Sequence, residues 1–172
     1  MIRCILFDRD GTLGELADKR YPQTLTPYCD VASVFAQIKA KGYKVGVVTN
    51  QSSIARGTGK GYDFDGEFTS YGADVWEICP HDNDDRCECR KPKSGLVFAA
   101  AKKLGIRAEE CLVVGDRFSD VTCGIGAGGQ GALVLTGNGN AEREAVLRAY
   151  PNTLVLPRFD SLPALLPPLL RL

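Results

Sequence analysis

Short apolar runs alternate with amphipathic segments along this chain. Ile2 to Phe7 reads as a strand. Val31 to Lys41 repeats apolar side chains at Val31, Val34, Phe35 and Ile38, which is the spacing of one helix face, and Gly42 is placed to cap its end. Further strands are expected at Val45 to Val48, Asp74 to Ile78, Leu112 to Val114, Ala132 to Leu135 and Thr153 to Leu156. Between them lie helical stretches from Gly95 to Leu104, closed by Gly105, from Ser119 onward, and from Ala141 to Ala149. Strand and helix in alternation imply parallel strands joined by right-handed crossovers. The expected fold is therefore α/β: a doubly wound, Rossmann-like, mainly parallel sheet with helices on both faces. No repeat, linker or composition break divides residues 1–172, so one domain without a large cap is expected.

Such sheets bind ligands at the carboxyl ends of their strands, near the point where strand order reverses. Asp8, Thr49, Asn50 and Asp116 each follow directly on a predicted strand. Four polar residues converging from three separate strands are what a catalytic site on this architecture requires.

Composition narrows the class of ligand. Hydrophobic residues make up 44% and charged residues 24%, with 21 basic and 21 acidic side chains. That balance argues against a nucleic-acid partner, which selects a basic excess. The apolar tail from Leu162 to Leu172 is short and broken by Pro163, Pro167 and Pro168, so a last helix turn against the core is expected rather than a membrane span. Asp8 follows the first apolar run too closely for a signal peptide, and a cytoplasmic monomer or small homo-oligomer is expected. Of seven cysteines, Cys4, Cys29, Cys111 and Cys123 are scattered and read as small apolar residues. Cys79, Cys87 and Cys89 cluster with His81, the sole histidine.

The first chemical constellation is Asp8-Arg9-Asp10-Gly11-Thr12-Leu13. Two carboxylates two positions apart, where the chain leaves a strand, can both face one ligand. Asp8 can attack phosphorus and hold a magnesium ion, while Asp10 can donate a proton to a leaving alcohol. Standing alone, such a pair is as readily an acidic turn. With its preceding strand, however, the segment resembles the first motif of the haloacid-dehalogenase-like phosphohydrolases. That family's second motif is a Thr or Ser ending a strand, matched by Thr49 with Asn50. Its third is a lysine that neutralises the phosphoryl group, matched by Lys91 in Cys89-Arg90-Lys91-Pro92. Its fourth is matched by Gly115-Asp116-Arg117-Phe118-Ser119-Asp120. The resemblance implies a Mg2+ site at Asp8, Asp10 and Asp116, with Asp120 in support. Receiver domains of two-component signalling share much of this set but lack an acid two positions after the accepting aspartate. Asp10 thus favours turnover over stable phosphorylation.

The second constellation, Cys79-Pro80-His81 followed by Cys87-Glu88-Cys89, supplies three thiolates and an imidazole within eleven residues. A closed four-ligand set of this kind suits structural Zn2+. The polar stretch from Asp82 to Arg86 has no apolar anchor of its own, and the loop 79–91 ends on Arg90 and Lys91. A metal there would position the lysine.

A zinc loop before CRKP resembles the family branch holding D-glycero-D-manno-heptose 1,7-bisphosphate 7-phosphatases and histidinol-phosphate phosphatases. The resemblance runs from Ile2 to about Gly139 and implies substrate contacts from Thr49, Asn50, Gln51, Ser52, Arg90 and Lys91, with Arg90 reading the substrate beyond its phosphate. Ser53 to Gly57 and Leu135 to Gly139 resemble the sugar-phosphate side of the branch. Gly14-Glu15 departs from it, and the short stretch Gly57 to Asp74 implies a reduced enclosing helix. The expected activity is hydrolysis of a small phosphorylated metabolite, with a sugar bisphosphate first and histidinol phosphate as the alternative. An inactive, zinc-stabilised phospholigand-binding module is the reading from a different class.

Overall fold

A computed structural model describes residues 1–16, 25–59 and 61–169. Six strands form one parallel sheet: β1 (Cys4–Phe7), β4 (Lys44–Asn50), β5 (Val75–Cys79), β6 (Cys111–Gly115), β7 (Gln130–Val134) and β8 (Leu154–Leu156). Their order across the sheet is β5-β4-β1-β6-β7-β8. The chain thus winds outward from β1 through β4 to β5, returns to the other side of β1 at β6, and continues to β8. A doubly wound sheet is what the alternation predicted. The reversal falls at β1, with β4 pairing Cys4↔Lys44 through Phe7↔Val47 and β6 pairing Cys4↔Cys111 through Phe7↔Val114.

The four residues of β1 are completely buried because each serves one of two cores. Side chains alternate across a strand. Ile5 and Phe7 therefore join the apolar face of α1 (Val31–Ala40), while Cys4 and Leu6 join Leu96, Val97 and Ala100 of α4 (Gly95–Leu104). The stripe Val31, Val34, Phe35 and Ile38 is the buried face of α1, as its spacing required. Asp30 caps that helix by accepting from the Ser33 N–H at 3.0 Å. Phe7 stacks on Phe35 at 5.3 Å between ring centroids and meets Phe159 edge-on at 5.9 Å. Truncating Phe35 to alanine should cost about 3–5 kcal/mol, read as a lowered midpoint in urea unfolding with an unchanged slope.

Two features were not legible in the pattern. A two-stranded antiparallel ribbon, β2 (Gly14–Leu16) with β3 (Leu25–Pro27), follows the first acids. Within the short stretch after Gly57 there is a helix, α3 (Phe64–Ser70), whose Phe64 and Phe68 are buried in the α1 core. Short helical turns α2 (Ser52–Ala55) and α7 (Leu162–Leu165) flank the site and the tail, and α5 (Phe118–Gly126) and α6 (Gly139–Ala149) cover the second half of the sheet. The tail docks as expected through Leu169: its N–H donates to the Lys41 carbonyl at 2.8 Å, and the Tyr43 hydroxyl donates to the Pro167 carbonyl at 2.8 Å. The last three residues of the predicted tail segment lie outside the described residues. Among the described residues no helix is long and apolar enough to cross a membrane.

Candidate active site and metal centres

Asp8, Thr49 and Asp116 stand at the carboxyl ends of β1, β4 and β6, three neighbouring strands, so the sheet itself brings them together. Lys91 reaches the same place from the loop after β5. Its ammonium is 2.7 Å from Asp8 Oδ1 and 2.6 Å from Asp120 Oδ1, and it donates to the Val48 carbonyl at 2.9 Å. Three acceptors match its three protons. Burial alone would lower the pKa of Lys91, but Asp120 and Asp8 outweigh it and hold the ammonium charged, above its usual range. Burial pushes Asp8 well above the ordinary carboxylate range; Lys91 pulls it back, while Asp120, Asp116 and Asp10 push it further.

Ligand oxygens of Asp8, Asp116 and Asp120 lie within 4.8 Å of one another, and all three residues are buried. When all three are ionised, these carboxylates outnumber the Lys91 charge by two. Asp116 accepts through Oδ2 from both the N–H and the side-chain amide of Asn138, each at 2.8 Å. Its other oxygen, Oδ1, is buried with no hydrogen-bond partner. Burial accordingly raises the Asp116 pKa, with the Asn138 N–H opposing it. An orphaned carboxylate oxygen in an over-negative, all-oxygen cluster fits a hard divalent cation such as Mg2+. Gly11 keeps this approach open: at φ +82 it lies so close that an added Cβ would sit 2.3 Å from Asp116 Oδ2.

Asp10 points into the same cleft, held at both oxygens. Oδ1 accepts from Arg9 at 2.8 Å, and Oδ2 accepts from the Gln51 side-chain amide at 2.6 Å. Gln51 also donates to the Thr49 hydroxyl at 2.9 Å, leaving the hydroxyl proton of Thr49 for another acceptor. Thr49 and Gln51 are buried and linked to Asp10 through the Gln51 amide, and Asn50, Arg90 and Lys91 line the cleft, which has a volume of about 590 Å³. Asn50 grips the backbone of Lys91, accepting its N–H at 3.1 Å and donating to its carbonyl at 3.2 Å. Ser52 accepts from Arg90 at 2.9 Å, and the His81 carbonyl accepts from the same nitrogen at 3.3 Å. The lining also includes Glu15, Tyr28, Arg117, Ser119 and Asn138, which motif reading left unnamed or unused.

The thiol–imidazole set closes on itself beside this cleft. Cys79 Sγ is 3.5 Å from His81 Nδ1 and 3.6 Å from Cys87 Sγ; Cys89 Sγ is 3.2 Å from the same nitrogen and 3.5 Å from Cys87. Ligands about 2.3 Å from a tetrahedral zinc stand roughly 3.7 Å apart, so the four atoms sit near the corners such an ion needs. Burial would raise the Cys87 thiol, but the Arg90 N–H and the neighbouring sulfurs bring it down to about 7. Burial and those sulfurs push Cys89 up to about 12. A cation replaces thiol protons that are crowded in this way.

Known proteins resemble this chain throughout its length. A family model described as HAD-hydrolase-like matches residues 88–162. The D-glycero-beta-D-manno-heptose-1,7-bisphosphate 7-phosphatase of Pseudomonas putida is 32% identical over 95% of this chain and 97% of its own. The enzyme of that name from Haemophilus influenzae is 35% identical over 74% of this chain and 78% of its own. Among solved structures, the D,D-heptose 1,7-bisphosphate phosphatase of B. bronchiseptica, complexed with magnesium and phosphate, superposes with a TM-score of 0.80 at 25% identity. The match covers 95% of this chain and 97% of that one.

Proposed function

Because the chain belongs to the HAD-like hydrolases and is a phosphatase of that family, we propose that it hydrolyses a sugar bisphosphate, with D-glycero-D-manno-heptose 1,7-bisphosphate as its substrate. The observation that carries the reading is the junction of Asp8, Lys91 and the cation-seeking Asp116 at the mouth of one cleft. Asp8 is the nucleophile. Its oxygen forms a bond to phosphorus as the bond from phosphorus to the alcohol oxygen breaks, and Asp10 gives its proton to that oxygen. Water then attacks the aspartyl phosphate, the bond to Asp8 breaks, and Asp10 takes the water proton. Lys91 and the Thr49 hydroxyl donate to the phosphoryl oxygens. Mg2+ held by Asp8, Asp116 and the Asp10 backbone carbonyl, with Asp120 in support, would offset phosphoryl charge. Zn2+ held by Cys79, His81, Cys87 and Cys89 would fix the loop that carries Arg90 and Lys91.

Arg90, aimed across the cleft by Ser52 and the His81 carbonyl, reads the substrate beyond the transferred phosphate. Asn50, Gln51 and Ser52 act here by holding Lys91, Asp10 and Arg90 rather than by reaching substrate first. The test is phosphate release across a panel of phosphorylated metabolites. Activity should require Mg2+, stop with EDTA, and show kcat/KM for the heptose bisphosphate at least about 100-fold above histidinol phosphate, the equivalent of roughly 2.7 kcal/mol of discrimination. Equal rates across the panel would overturn the substrate assignment, and no release from any ester would leave a phospholigand-binding module.

A further inference from the structure

Arg9 lies between the two motif acids and is fully buried, an unusual place for a guanidinium. It is not left to carry its charge alone. Glu67 of α3 takes it with both oxygens, Oε1 from Nε at 2.8 Å and Oε2 from a terminal nitrogen at 2.7 Å. The guanidinium carbon also lies 5.4 Å from the Tyr62 ring centroid and 5.3 Å from that of Phe64. Glu67 is fixed in turn by the hydroxyls of Tyr62, at 2.5 Å, and Tyr71, at 3.2 Å. The remaining terminal nitrogen of Arg9 donates to Asp10 Oδ1 at 2.8 Å. A rigid fork, clamped by a carboxylate and lying against the Tyr62–Phe64 ring pair, thus ends on the side chain that has to meet the leaving oxygen.

We propose that Arg9 and Glu67 are positioning residues for proton delivery, a relay of fixed geometry through which α3 sets the direction of the Asp10 carboxyl. The inference rests on the proposed role of Asp10 as acid. Gln51 fixes the second oxygen of Asp10 from just past the end of β4, so the two holds come from different parts of the chain. Removing the Arg9 hold leaves Asp10 tethered at one oxygen and free to turn. A proton donor off line by an ångström loses most of its effect on the rate. Among the described residues no hydrogen bond or ion pair joins Glu67 to Asp8, Lys91 or Asp116, so attack on phosphorus proceeds as before.

This separation gives the proposal a readout that a structural role lacks. Expulsion of a sugar alkoxide needs the proton, whereas p-nitrophenolate leaves without one. The parameter to measure is kcat/KM, which reports steps up to release of the alcohol and is blind to hydrolysis of the aspartyl phosphate. Glu67→Gln, Arg9→Lys and the milder Tyr62→Phe should be compared with Asp10→Asn on a sugar phosphate and on p-nitrophenyl phosphate, with folding checked by circular dichroism. In Glu67→Gln and Arg9→Lys the expected result is a fall of about 100-fold on the sugar phosphate, the size of a general-acid contribution, and less than about threefold on the aryl ester. Tyr62→Phe, which keeps both ions, should show the same leaving-group bias at about a tenth of the size and serves if the buried-charge variants do not fold. Equal losses on both esters, or none on either, would overturn the relay. Equal losses for Asp10→Asn itself would instead remove the acid role on which the relay rests, and the two failures are told apart by that single control.

Discussion

Asp8→Asn should lose turnover by a factor on the order of 10⁴ or more, the scale seen when a covalent nucleophile is removed. The protein should at the same time keep its fold and bind substrate through Lys91 and Arg90. The stability half of this expectation follows from the direction of the Asp8 shift. Burial holds its carboxyl harder to ionise in the folded chain than in the unfolded one. A group raised in this way supports folding at low pH and loses that support as pH rises through its folded pKa. At neutral pH the Asp8 charge therefore opposes folding, and an amide of the same shape removes the opposition. Lys91 keeps Asp120 and the Val48 carbonyl, and the amide oxygen can still accept its third proton. In EDTA, the melting temperature of the variant should equal or exceed that of the parent, while phosphate release from any ester falls to background. Near-normal turnover would show that another residue attacks phosphorus; a large drop in melting temperature would show that Asp8 is held for the fold.

Zinc removal should produce the second-largest effect. A structural zinc contributes on the order of 10–16 kcal/mol in small peptides at neutral pH, against about 1 kcal/mol for each of the two hydrogen bonds through which Asn50 grips Lys91. The metal should therefore dominate the placement of the loop, with Asn50 as a weaker second hold. Stripped, folded protein should show kcat lower by on the order of 10²-fold through lost phosphoryl stabilisation, and a raised KM through Arg90. Magnesium affinity should scarcely change, since Asp8 and Asp116 are seated on the sheet. Asn50→Ala should do little in the zinc-loaded protein and add a further loss in the stripped one. An unchanged kcat in zinc-free protein would make the metal a peripheral staple. Absence of zinc from protein purified without chelators, or full stability of Cys87→Ser with Cys89→Ser, would remove the clip itself.

What could be read from the chain was chemistry written over short distances. Asp8 and Asp10 are two residues apart, the three thiols and one imidazole span eleven, and the face of α1 repeats within a single helix. Each such signal is complete within one window of sequence. What escaped depends on contacts made only after folding. Arg9 meets Glu67 across 58 positions, and Asn50 meets Lys91 across 41. Neither pair has a spacing to recognise. α3 was hidden for a different reason: seven residues with Gly66 inside carry too little periodicity, and its helix is held by burial of Phe64 and Phe68. β2 and β3 are three residues each, below the length at which alternation can be distinguished from a turn.

The position of β1 has a consequence for the birth of the molecule. The apolar segment Cys4–Phe7 leaves the ribosome before either of its sheet partners, which lie far downstream, β4 from Lys44 and β6 from Cys111. A parallel strand in the middle of a sheet cannot find a hairpin neighbour while it waits, and such long-range pairing is slow. Until residue 115 has emerged, one edge of β1 stays unpaired and sticky, exposing backbone and apolar side chains that a chaperone would bind. The strand that ends on Asp8 is thus made before every other strand of its sheet and is among the last secured.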